Sequence, residues 1–87
     1  MTSNTREIIK GIEEGLFVLE DVIDEMNTAI ALALVKINGE LIEFIKAKYR
    51  SLRVRIAAVR NTPYAMLFLT DRQITREVMA EYKAFDS

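Results

Sequence analysis

The chain contains neither cysteine nor histidine. Without cysteine there is no disulfide and no thiolate metal site, and without histidine the commonest zinc ligand and the commonest general base are both missing. Proline occurs once, at Pro63, and glycine three times, at Gly11, Gly15 and Gly39, so breaks in regular structure are signalled at few places. Long apolar runs are also lacking. Ala29 to Val35, closed by Lys36, is far shorter than the ~20 residues that cross a bilayer, and reads as a buried patch. Met1 to Asn4 is polar and is followed by Glu13, Glu14, Glu20 and Asp21, so no signal peptide is expected. The expectation is a cytoplasmic protein, encoded by a cell, a virus or a mobile element.

What is present is apolar surface at helical spacing. Of 87 residues, 51% are hydrophobic and 29% charged, a balance that fits a folded soluble protein and is too apolar for a disordered one. This length allows one domain. It buries only about 60% of its unfolded surface, a marginal fraction that self-association would improve. Ile9, Ile12, Leu16, Leu19, Ile23, Met26, Ile30, Ala33 and Ile37 follow one another in steps of three and four. That alternation predicts a helix with a coiled-coil or bundle seam along one side.

The net charge of −1 conceals a division. Residues 1–43 hold three basic groups and nine acidic ones. Residues 44–62 hold Lys46, Lys48, Arg50, Arg53, Arg55 and Arg60 with no acid. An acidic segment is followed by a basic one.

Asn4 with Glu7 has the form of a capping pair and predicts a first helix over about 5–38. Within it, Gly11 and Gly15 stand one turn apart, where they either admit a neighbouring backbone or weaken the first turns. Between Thr28 and Ile37 the helix is apolar nearly all round, which calls for more than one covering neighbour. Asn38-Gly39 fits a helix end closed by a left-handed glycine, with a second helix over about 40–60. A β-hairpin over Leu34 to Phe44 competes with it, because the same dipeptide is the preferred type I′ turn. A helix running straight through is a third alternative. Leu41, Ile45, Tyr49, Leu52, Ile56 and Val59 form the apolar stripe of the second helix, and Ala47, Ser51 and Ala58 a small-residue face opposite. Thr62-Pro63 ends that helix and opens a third over about 63–85, which restarts near 71 if Thr70 and Gln73 form a capping box. If the first two helices fold back on each other, Asp24 lies opposite Arg53 and Glu20 near Arg60, and opposite charges favour that register.

Three groups of residues bear on function. Lys46, Arg50, Arg53 and Arg60, at helical spacing with Tyr49 nearby, are candidate nucleic-acid contacts along a phosphate backbone. A slightly acidic chain argues instead that they answer the acidic helix. Glu13, Glu14, Glu20, Asp21, Asp24 and Glu25 are carboxylates of the kind that bind metal in helical bundles, but such sites pair glutamate with histidine, so a solvated face is expected and no metal or cofactor. Phe17, Val18, Phe44 and Met66 to Leu69 lie off the main stripes, and this apolar surplus implies contact with further copies or a partner.

The stretch Tyr49 to Gln73, an amphipathic helix ending in Arg60, a loop, and Arg72-Gln73 opening the next helix, resembles the chorismate mutases. The resemblance covers under a third of the chain. Tyr49 stands where that family has an arginine, and the acidic first helix has no counterpart. It implies an enzyme with a concave pocket holding Arg60 and Arg72.

The sequence as a whole reads as an all-α helical hairpin with a third arm, self-associating through Leu16, Leu19, Ile23, Met26, Ile30, Leu52, Ile56 and Phe68. The expected function is non-catalytic: an assembly or adaptor protein, a structural subunit or a partner-blocking inhibitor, whose partners are its own copies and another protein. A nucleic-acid-binding regulator and a mutase-like enzyme are the alternatives.

Overall fold

The structure, a computed structural model, describes residues 3–85. Among them are five α-helices, α1 (Ser3–Glu13), α2 (Leu19–Asp24), α3 (Thr28–Ile37), α4 (Leu52–Asn61) and α5 (Arg76–Lys83), and 3₁₀ helices at Gly39–Phe44, Ala47–Tyr49 and Pro63–Phe68. No strand is present among the described residues. The chain is therefore all-α, without the β-hairpin that competed at Asn38-Gly39.

The single helix expected over 5–38 is divided in three. Gly15 adopts φ +75°; its N–H donates to the Ile12 carbonyl at 3.0 Å and that of Leu16 to the Gly11 carbonyl at 2.8 Å. This pair of bonds is the Schellman closure, and it needs a residue free to take positive φ. Gly15 thus ends α1. The second break is at Asn27, whose extended backbone (φ −149°, ψ 177°) starts α3 and whose side chain accepts from the Ile30 N–H at 2.9 Å, an N-cap. Asn4, expected to cap α1, lies inside it and donates to Glu25 Oε2 at 3.3 Å.

The second helix, expected over 40–60, begins only at Leu52. Asn38 closes α3 and its side chain accepts from the Glu40 N–H at 3.1 Å. Gly39 is there for space: a Cβ would collide with the Ala58 carbonyl oxygen and come within 2.9 Å of Thr62 Cγ2. Its N–H donates to Asn61 Oδ1 at 2.8 Å, while Asn61 Nδ2 donates to the Lys36 carbonyl at 3.0 Å, which fastens the end of α3 to the end of α4. Ser51 caps α4 by accepting from the Val54 N–H at 3.3 Å. The buried face of α4 is Val54, Ala58 and Val59, rotated from the expected stripe, so that Ala58 of the small-residue face lies inside.

The third element opens as expected. Thr62 Oγ1 accepts from the Tyr64 N–H at 3.3 Å and Pro63 takes the first position, but the turns that follow are 3₁₀. Gln73 Oε1 accepts from the Thr70 N–H at 3.1 Å, the backward half of the expected capping box, and here it closes a turn. The helix restarts at Arg76 instead of 71.

α3 is the centre of the fold, packed against α1, α4 and the 39–44 segment, which accounts for its all-round apolar character. Ile12, Ile30, Leu34, Val35, Ile42, Val54, Val59 and Val78 are fully enclosed. The radius of gyration, 12.7 Å, is close to the ~12 Å of a folded chain this long. A single copy thus closes a core of its own, and Ile30, expected at an interface between copies, belongs to that core.

Candidate protein-contact surfaces

Arg50 has a place inside the fold. Its Nε donates to the Ile45 carbonyl at 2.6 Å and its Nη2 to the Ile42 carbonyl at 2.9 Å. Its Nη1 reaches the Phe68 carbonyl at 2.8 Å and Gln73 Oε1 at 3.0 Å. The forked guanidinium ties the ends of two 3₁₀ helices to the turn before α5, sharing the Ile42 carbonyl with the Ile45 N–H. Burial pushes this group below its ordinary pKa, though not far enough to discharge an arginine. Arg55 acts similarly, donating to the Arg50 carbonyl at 3.0 Å and the Gln73 carbonyl at 2.6 Å.

The other basic side chains face outward. Arg60 Nη2 meets Glu81 Oε1 at 2.6 Å; this hydrogen bond raises the arginine's pKa and, with the positive charge, holds Glu81 below the usual carboxylate range. Lys46, Lys48 and Arg53 are exposed, with Lys48 Nζ 5.0 Å from the centroid of the Tyr49 ring, a cation–π distance. Of the four candidate nucleic-acid contacts, Lys46 and Arg53 are free at the surface, Arg60 is paired, and Arg50 is half-buried with its guanidinium bonded to backbone carbonyls. The expected pairing of Asp24 with Arg53 and Glu20 with Arg60 is absent among the described residues. Arg60 is paired from α5 instead.

Most of the exposed large apolar side chains gather at two surfaces, with Ile37, Phe44 and Leu52 exposed elsewhere. Between α1 and α2 runs a groove of about 710 Å³, lined by Ile8, Gly11, Phe17 and Val22 and bordered by Glu7, Asp21 and Glu25. Leu16 and Val18 on its edge are 74% and 56% exposed. The cause is local: a Schellman closure ordinarily rests the residue after its glycine on an apolar side chain one turn back, and that position here is Gly11. The second surface is a cleft of about 560 Å³ formed by Pro63, Tyr64, Met66, Leu67, Tyr82 and Phe85. Leu67 is 78% and Tyr64 63% exposed.

α2 also borders a smaller concavity, where Ile23, Asp24 and Met26 meet Phe44, Lys46 and Tyr49. A further groove, about 330 Å³, lies between α3 and α4, with Leu32, Ile56 and Ala57 as its floor and Lys36, Arg53 and Arg60 as its border. Among the expected interface residues, Leu16 and Leu52 are exposed, and Leu19, Ile23, Met26, Ile56 and Phe68 half-buried. Arg72 does not line the groove that holds Arg60, and it lies in a turn instead of opening a helix. Among the described residues no group of three carboxylates converges to hold a metal, and no helix is long and apolar enough to cross a membrane.

No family model, curated protein or solved structure matches the chain.

Proposed function

We propose that this chain is a non-catalytic assembly or adaptor protein that works by docking its exposed apolar surfaces against protein. One observation carries the reading. Leu16, Val18, Tyr64 and Leu67 remain more than half exposed although the fold encloses a core without them. Apolar side chains grouped in concave surfaces are the usual mark of an interaction site. The border of Glu7, Asp21 and Glu25 would select the partner by charge. The nucleic-acid alternative has less support, because Arg50 and Arg55 donate to backbone carbonyls and Arg60, in the groove with Lys36 and Arg53, is already paired with Glu81. A mutase-like site would need Arg60 and Arg72 to converge, and nothing in their surroundings favours it.

Photo-crosslinking in the cells that make the protein tests the proposal. With a benzophenone side chain in place of Leu16 or Leu67, adducts of protein mass are expected at both positions. Crosslinks confined to the chain itself at both would overturn it.

A further inference from the structure

We infer that two copies of the chain pair by laying the acidic α2 ridge of one into the basic groove between α3 and α4 of the other. The inference rests on the protein-contact reading above and names the partner. On α2, Leu19 and Ile23 are one turn apart and half-buried, while Glu20 and Asp24 run beside them and are exposed. Positions i and i+4 share a helix face, so the ridge carries an apolar pair flanked by an acidic pair. The groove presents the reverse: an apolar floor of Leu32, Ile56 and Ala57 under Lys36, Arg53 and Arg60, with no acid in its lining.

Among the described residues the ion pair within 4 Å is Arg60 with Glu81; Glu20, Asp24, Lys36 and Arg53 form none, although Asp24 shares a small concavity with Lys46. Attraction between the acidic and basic segments is thus largely unspent inside one copy. A ridge with acid beside leucine and isoleucine, and a groove with cations beside leucine and isoleucine, complement each other in charge and polarity. Two-fold symmetry lets each copy give its ridge and receive the other's, so both faces are covered in a closed pair.

The test is sedimentation equilibrium of the full chain and two charge-reversed variants, with melting followed by circular dichroism. Wild type is expected to form a species of twice the monomer mass that weakens as salt rises. The variant E20K/D24K and the variant K36E/R53E are each expected to pair at least ~tenfold more weakly while melting like wild type at a concentration where all three are monomeric, since all four side chains are exposed. Mixed in equal amounts, the two variants are expected to regain the pair, because one then offers only basic faces and the other only acidic ones. A wild type that stays monomeric, variants that pair undiminished, or a mixture that stays monomeric would each overturn the inference. Protein adducts at Leu16 and Leu67 alongside a monomeric wild type would sink this pairing while leaving the broader protein-contact reading in place.

Discussion

Arg50 shows how one side chain can change the meaning of a charge pattern. In the sequence it is one of six bases in a stretch without acids, indistinguishable from Arg53 three positions on. In the fold its guanidinium holds the carbonyls of Ile42, Ile45 and Phe68, whose satisfaction allows three short segments to meet. Hydrogen bonds from a charged donor contribute roughly 1.5–3 kcal/mol each, and a buried acceptor left alone carries its own desolvation cost. Arg50→Met keeps much of the length and removes every donor. It is expected to lower unfolding free energy by about 3 kcal/mol in urea titrations, and Arg50→Lys to recover only part, since one ammonium cannot span the fork. A residue whose role was phosphate contact would leave stability within about 0.5 kcal/mol of wild type. Nothing in the local sequence announced the inward direction of this arginine, because its partners include Phe68 and Gln73 from a separate segment.

At the scale of elements, apolar spacing reported the helical class and failed at the breaks. Steps of three and four run from Ile9 to Ile37 through Gly15 and Asn27, yet of that series only Ile12, Ile30 and Ala33 are buried while Leu16 and Ile37 are exposed, so the spacing runs on across breaks that it does not report. The breaks were written in residues of another kind: a glycine where the chain turns left-handed and an asparagine whose side chain caps. Thr62-Pro63 was legible because Pro removes a donor and fixes φ wherever it stands. Ser51, which the periodicity placed in the middle of a helix, caps α4. The turn at Gly15 brings α1 back onto α3, so straightening it would expose Ile12 and Ile30. Gly15→Ala is therefore expected to retain the break and bear the strain of positive φ, losing about 1–2 kcal/mol with helical ellipticity unchanged. Open space surrounds that Cβ position, so crowding adds nothing to the loss. A rise in ellipticity, with α1 and α2 merging, would show that the continuous seam is the preferred state.

For the whole molecule the seam and the closed core make opposite demands on residues with the same pattern. Leu16 and Ile30 occupy equivalent places in the three-and-four alternation, and a long seam between copies would bury both to similar effect. The fold separates them: Ile30 is fully enclosed and Leu16 is 74% exposed. Ile30→Ala removes core volume that its neighbours cannot refill and is expected to lower stability by about 2–5 kcal/mol. Leu16→Ala removes side-chain surface that is mostly in water, and is expected to change stability by less than about 0.5 kcal/mol. Both should be measured by thermal unfolding at a concentration low enough to keep the chain monomeric, since association adds stability by mass action. Comparable losses at the two positions in the monomer would mean that Leu16 takes part in the chain's own core, against its 74% exposure. A large gap, combined with protein crosslinks at Leu16, would separate what the chain needs to fold from what it needs to bind.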